Sequence, residues 1–209
     1  IYEIVRTVRG ALPKSVSLSA KLRLGWDNIS DLQRNAEMAC LGGADWLTIH
    51  ARTKSQGYKP PVYWPEIAKV KKNISVPVIA NGDIWTFDDF RRCRDITECE
   101  HFMLARAALG NPFLVNQCAK ELGLSFTREG FAPVHIRSWK DLFVLFIDYC
   151  KAESKNEGYP LSRIKQWISF ACLIQPNHPL AHLRRASTLA ELLNEVSLKE
   201  KEFALPTYF

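Results

Sequence analysis

The stretch Val76-Pro77-Val78-Ile79-Ala80-Asn81-Gly82-Asp83-Ile84 decides how the rest of this chain is read. Its first five residues are apolar and have the length of a buried strand, and a proline is tolerable at a strand start. They run directly into Asn-Gly-Asp, a combination suited to a tight turn with positive φ. Gly82 lets backbone N–H groups approach an anion closely, as a phosphate site requires. An ordinary turn between a strand and a helix accounts for the same residues, because Asn-Gly is common in turns.

Working outward, residues 16–24, 46–51 and 102–105 form three more apolar runs. At or near the ends of the four runs stand Lys21, His50, Asn81 and Arg106, spaced 29, 31 and 25 residues apart. A helix-like stretch follows each run. This beat is one strand-plus-helix unit of a (β/α)8 barrel, in which about 250 residues make eight units and the chemistry sits at the carboxyl ends of the strands. Beyond residue 122 the strand pattern stops, and residues 139–155, 161–175 and 180–201 have helical spacing. The expected fold class is therefore α/β: the second half of a TIM barrel over residues 1–122, a linker at 123–136, and an all-α helical bundle domain over 137–209. The opening Ile1-Tyr2-Glu3-Ile4-Val5 reads as the interior of an amphipathic helix, so the sequence is expected to be a piece of a longer protein. Asn28 or Ser30 is the expected cap of the helix after the first strand.

Composition narrows the function classes. Hydrophobic residues make up 47 % and charged residues 24 %, as in soluble globular proteins. No apolar run approaches the roughly 18 residues that span a bilayer, and no signal peptide opens the chain, so a cytoplasmic protein with no membrane partner is expected. The six cysteines form no CxxC pair and no regular framework, which suits a reducing compartment and gives no metal site. Cys40, Cys118, Cys150 and Cys172 read as buried thiols, whereas Cys93 and Cys99 flank a surface-like charged turn. The net charge is +6, and from Gly158 to Ala190 there is no acid while Arg163, Lys165, Arg184 and Arg185 occur. Such a stretch is a better sign of a phosphate-binding face than the total charge, although a solvated helix face has the same composition.

Among the strand ends, Arg106 offers a bidentate charge where barrels often hold a phosphate, after their last strands. Lys21 and Arg23 lie two apart, so both point to one face of their strand, where two cations need an anion or a polar site. His50 ends its strand in line with the others, the alternative being a satisfied structural histidine.

The segments KLRLGWD (21–27), IHARTKSQGY (49–58), PVIANGDIW (77–85) and FMLARAALGNP (102–112), in this order and spacing, resemble the tRNA-dihydrouridine synthases. RIKQW (163–167) is similar to the bacterial subfamily that acts on U16. The resemblance implies an FMN-dependent oxidoreductase that reduces a D-loop uridine of tRNA to dihydrouridine with NADPH. It also implies a parent that is monomeric at full length. It implies that Lys21 contacts the flavin ring, that His50 lines the same cavity, and that Asn81, Gly82 and Asp83, with Ala105 and Arg106, form the FMN phosphate site. Ala51, Ala105 and Ala107 stand where the family often has glycine. Tyr58, Arg163, Lys165 and one of Arg184 or Arg185 match tRNA-contacting positions. The family's proton-donating cysteine belongs to an Asn-x-Gly-Cys-Pro loop, and none of the six cysteines here has that setting. No catalytic residue of that kind is expected in this chain, which alone is expected to be inactive. Two other readings stay open: a non-catalytic RNA-binding remnant, and an FMN barrel oxidoreductase with a non-RNA substrate.

Overall fold

The computed structural model describes residues 1–124 and 138–198. By its contacts the chain divides into two compact units, residues 1–104 and 105–209.

In the first unit helices and strands alternate: α1 (Tyr2–Ala11), β1 (Ser19–Arg23), α2 (Leu32–Leu41), β2 (Trp46–His50), α3 (Trp64–Asn73), β3 (Val78–Asn81), α4 (Phe87–Thr97) and β4 (His101–Met103). All four strands are parallel, in the order β1-β2-β3-β4. Parallel neighbours need a crossover, and α2, α3 and α4 provide the three that occur, which makes this unit α/β. Pro77 precedes the first residue of β3, where its missing N–H costs no ladder bond, and its carbonyl accepts from the Leu47 N–H at 3.0 Å.

The core lies between one face of the sheet and the helices. Leu47, Ile49, Val78 and Ala80 are buried, as are Leu32, Ala36 and Ala39 of α2, Ile67 and Val70 of α3, and Phe90 of α4. Phe90 meets Phe102 of β4 edge-on at 4.9 Å. A capping box starts α4: Thr86 Oγ1 accepts from the Asp89 N–H and an Asp89 carboxylate oxygen accepts from the Thr86 N–H, each at 3.0 Å.

Two expectations need correction here. Cys93 and Cys99 are not at a surface turn; both are buried, because the spacing of Phe90, Cys93 and Thr97 turns that side of α4 inward while the intervening charges face out. Neither Asn28 nor Ser30 caps α2. The N-cap is Asp31, with no side-chain cap bond, and Asn28 Oδ1 instead accepts from the Ser30 N–H at 3.0 Å, closing a local turn.

The second unit is helical among its described residues: α5 (Ala107–Gly110), α6 (Leu114–Glu121), α7 (Trp139–Glu153), α8 (Tyr159–Ile174), a 3-10 turn (Pro179–Arg185) and α9 (Leu189–Leu198). Phe143 and Ile147 of α7, Ile164 and Ile168 of α8, Leu180 and Leu183 of the 3-10 turn, and Leu192 and Val196 of α9 form one core. The Trp167 ring packs edge-on against Trp139, Phe143 and Phe146, and its Nε1–H donates to the Leu109 carbonyl at 2.6 Å. That bond and the close seat of Gly110 under Ile174 hold α5 on α8. The helix expected over 180–201 is two elements, separated at Ala186, Ser187 and Thr188, with its last three residues outside the described part. Apart from Gly123 and Leu124, the expected linker also lies outside it. Among the described residues no helix is long and apolar enough to cross a membrane.

Candidate functional site at the carboxyl edge of the sheet

Register decides which side chains meet. Arg23 of β1 pairs with His50 of β2, His50 with Asn81 of β3, and Asn81 with Met103 of β4. Partners in a parallel ladder point the same way, so Arg23, His50, Asn81 and Met103 form one row across the carboxyl edge. Lys21 lies on the same face one pleat earlier, in line with Thr48. It is the third residue of β1 rather than the last, and Arg23 ends that strand. The opposite face carries Leu22, Ile49, Ala80 and Phe102 and belongs to the core side.

Each polar member has a definite partner. Lys21 Nζ lies 3.0 Å from Met103 Sδ. Arg23 donates from Nη1 to the carbonyls of Thr53 and Gly57, both at 2.9 Å, and its guanidinium sits 5.5 Å from the Tyr58 ring centre. Asn81 donates from Nδ2 to the Met103 carbonyl at 2.7 Å. His50 is buried, with the Tyr58 ring 6.1 Å away. Burial and then the charges of Arg23, Arg52 and Lys21 bring its pKa down to about 4, against the opposing pull of Asp83. The imidazole is therefore neutral at pH 7.

Arg52, which the sequence leaves unremarked at the start of a polar loop, is the most buried charged residue here, at 0 % exposure. It grips the Asp83 carboxylate through both terminal nitrogens, Nη1 to Oδ1 at 2.8 Å and Nη2 to Oδ2, and donates from Nε to the Lys59 carbonyl at 2.7 Å. A signal for it exists in the sequence. Arg52 and Asp83 each stand two residues past a strand end, and the 31-residue step from His50 to Asn81 also separates them.

The turn after β3 needs its residues for backbone reasons. Gly82 has φ +119 and Asp83 φ +48. A Cβ on Gly82 would come within 3.1 Å of both His50 Cδ2 and Val62 Cγ2, so glycine permits the turn to pack on the end of β2. The Gly82 carbonyl accepts from Trp64 Nε1–H at 2.8 Å.

The structure thus brings Lys21, His50, Asn81, Gly82, Asp83 and Tyr58 together at one edge of the first unit. Ala105 and Arg106 open the second unit, where Arg106 is the N-cap residue of α5. On α8, Arg163 is exposed, donates to Gln166 Oε1 and lies 6.0 Å from the Tyr159 ring centre. Lys165 is half-buried and, two positions on, faces another side of the helix. Arg184 and Arg185 are exposed on the 3-10 turn and line a concavity of about 440 Å³ with Ala181 and His182. His182 Nε2 lies 3.3 Å from Glu195 of α9, so the acid-free stretch meets an acid in space.

Comparison with known proteins bears directly on this arrangement. The family model described as dihydrouridine synthase matches residues 1–197. The tRNA-dihydrouridine(16) synthase of Shewanella oneidensis is 39 % identical over 173 residues, 81 % of this chain and 51 % of the relative. That of Neisseria meningitidis serogroup B is 40 % identical over 172 residues, 80 % of this chain and 49 % of the relative. That of Pseudomonas putida is 37 % identical over 198 residues, covering 92 % and 58 %. The chain spans about half the length of these curated relatives. With nearly its whole length inside the family model and the motif residues gathered at one sheet edge, the chain belongs to the dihydrouridine synthase family.

Proposed function

We propose that this chain supplies the cofactor-holding half of a tRNA-dihydrouridine synthase that reduces uridine 16 of tRNA with FMN and NADPH. The carrying observation is the row at the carboxyl edge of a parallel sheet, where Lys21, Arg23 and Arg52 surround a neutral His50 beside Asn81 and the Gly82 turn. The tRNA-dihydrouridine(16) synthases among the relatives support the substrate. In this proposal the four strands are the second half of a TIM barrel and the helical unit is the tRNA-binding domain. Among the described residues β1 pairs with β2 alone and β4 with β3 alone, which supports a sheet that continues in the rest of the parent.

The residues present fit FMN. Its phosphate is anionic, and the one carboxylate in the turn, on Asp83, is neutralised by Arg52. Gly82 keeps that turn free of a side chain. Lys21, His50, Asn81, Gly82 and Asp83 would hold the cofactor, and Ala105 and Arg106 are proposed for its phosphate. When bound, FMN supplies hydride-transfer chemistry, with NADPH as the electron source. The Lys21 ammonium stabilises negative charge on a group brought against it, and neutral His50 offers hydrogen bonding without a second positive charge. Cys93 and Cys99 belong to the helix side of the sheet, and burial pushes the Cys93 thiol up to about 12. The proton donor is therefore proposed to come from outside these 209 residues. Tyr58, Arg163, Lys165, Arg184 and Arg185 are proposed to contact tRNA.

The test is expression of the whole parent protein in a strain whose tRNA lacks dihydrouridine, followed by mass spectrometry of tRNA fragments. Dihydrouridine at position 16 is the expected result. A parent that binds FMN and leaves that position as uridine sinks the proposal, and turnover by the 209-residue chain alone overturns its account of the proton donor.

A further inference from the structure

We propose that Trp26, with Lys54 beside it, is a stacking platform for an unpaired base of the tRNA, an inference that rests on the tRNA-dihydrouridine synthase reading above. Trp26 follows β1 and is 73 % exposed. A single exposed apolar ring is ordinary on a protein surface. What distinguishes Trp26 is that its backbone is fixed. The Leu24 N–H donates to the Arg52 carbonyl at 3.1 Å, the Lys54 N–H to the Gly25 carbonyl at 2.9 Å, and the Ser55 N–H to the Trp26 carbonyl at 2.8 Å. Three main-chain bonds thus sew the turn after β1 to the loop after β2. Gly25 is required in that turn, since a Cβ there would lie 1.9 Å from the Asn28 carbonyl oxygen.

The ring has a cation next to it and a second aromatic on the sewn loop. Lys54 Nζ stands 6.0 Å from the Trp26 ring centre. Tyr58, 65 % exposed, is presented by the same loop and held by Arg23. Lys54, Lys59, Lys21 and Arg23 make this edge cationic, and the acid on the turn is Asp27, whose Oδ1 accepts from Asn28 Nδ2 at 2.9 Å. Rigid exposed aromatics among cations are what single-stranded nucleic acid needs: every base has a π-face that stacks on an indole, and the flanking phosphate meets the ammonium. Lying at the carboxyl edge, the platform would receive a base next to the uridine that is brought to the cofactor.

The experiment uses the full-length parent with bound FMN and an unmodified tRNA transcript, with Kd measured by fluorescence anisotropy at two salt concentrations. Trp26→Ala is expected to weaken binding about 5- to 150-fold, the range of lost base stacking, with the salt dependence unchanged. Trp26→Phe keeps most of the affinity. Lys54→Ala lowers the slope of log Kd against log salt by about 0.7 to 0.9, one phosphate contact. Flavin absorption and Tm stay at wild-type values in all three. Unchanged Kd for Trp26→Ala overturns the platform, as does a lowered Tm with affinity retained, which would make Trp26 a contact with the rest of the parent. Wild-type parent that leaves position 16 unreduced defeats the underlying function instead.

Discussion

Asp83→Asn probes how the site is built, because it removes a charge and little else. Asparagine has the size of aspartate and tolerates the left-handed backbone that Asp83 adopts at φ +48, so the turn keeps its path. Arg52 then remains sealed from solvent without its counter-charge. The bond from Nε to the Lys59 carbonyl stays in place, the asparagine amide oxygen can accept one of the two bonds the carboxylate took, and the other is replaced by an amide N–H facing the guanidinium. Breaking a buried pair from one side costs about 3–5 kcal/mol, since the remaining charge stays buried without its counter-charge. The Asp83 side chain is 17 % exposed, so some water reaches its former position and the lower end, about 3 kcal/mol, is the expectation.

The assay is urea unfolding of the full-length parent followed by far-UV circular dichroism. Pairing the variant with Arg52→Met sharpens it. Removing both charges leaves no buried ion, so the double variant is expected to be at least about 1 kcal/mol more stable than the sum of the single losses. Additive losses, or an Asp83→Asn protein within about 0.5 kcal/mol of wild type, refute the claim that a desolvated ion pair holds the turn after β3 to the loop after β2.

Three further outcomes follow from the same geometry. His50 has a folded pKa of about 4 against an ordinary 6.5, so its contribution to stability is full above pH 6.5 and is lost as pH falls toward 4. That loss is about 3 kcal/mol, visible as a falling urea midpoint that His50→Gln flattens. Gly82→Ala forces a side chain into φ +119 and against His50 and Val62. It is expected to destabilise the protein by about 2 kcal/mol in urea unfolding and to weaken FMN retention on gel filtration. Phe143→Ala empties the centre of the helical core, where Phe143 is fully buried, and should cost about 3–5 kcal/mol in the same unfolding assay while flavin absorption is unchanged.

The strand-and-helix beat was legible because each strand is built on a short apolar run with a polar residue at or near its end and helical spacing after it; β1 and β2 lie inside their runs, while β3 ends one residue later at Asn81 and β4 starts one residue earlier at His101. His50 and Asn81 fall in one register row because each ends its strand, whereas Lys21 lies one pleat before the end of β1, a shift that an apolar run does not show. Arg52 was not legible, because burial of a charge depends on a partner 31 residues away, and local sequence shows only a loop that begins with a basic residue. Cys93 and Cys99 misled in the opposite sense, since the charges between them belong to the outer side of α4 and its turn. The acid-free stretch was legible as composition, yet Glu195 reaches His182 from another helix.

The cations at the sheet edge differ in what they already hold, and that difference orders their roles. Arg52 is committed to a carboxylate and Arg23 to two carbonyls and an aromatic face, so moving either means breaking strong bonds inside the protein. Both act on the loop that carries Lys54 and Tyr58. Lys21 is exposed, and its ammonium lies against a thioether, among the weakest acceptors a side chain offers. Exchanging Met103 Sδ for a carbonyl or an anionic oxygen of a bound group would cost little and return a charge-assisted hydrogen bond. Arg23 and Arg52 therefore build the site and Lys21 stays able to act on a ligand, which supports its proposed place against the flavin ring. Lys21→Met is the discriminating change: with the arginines intact, urea stability should stay within about 0.5 kcal/mol of wild type while flavin affinity falls. An equal fall in stability would mean that Lys21, too, is part of the scaffold.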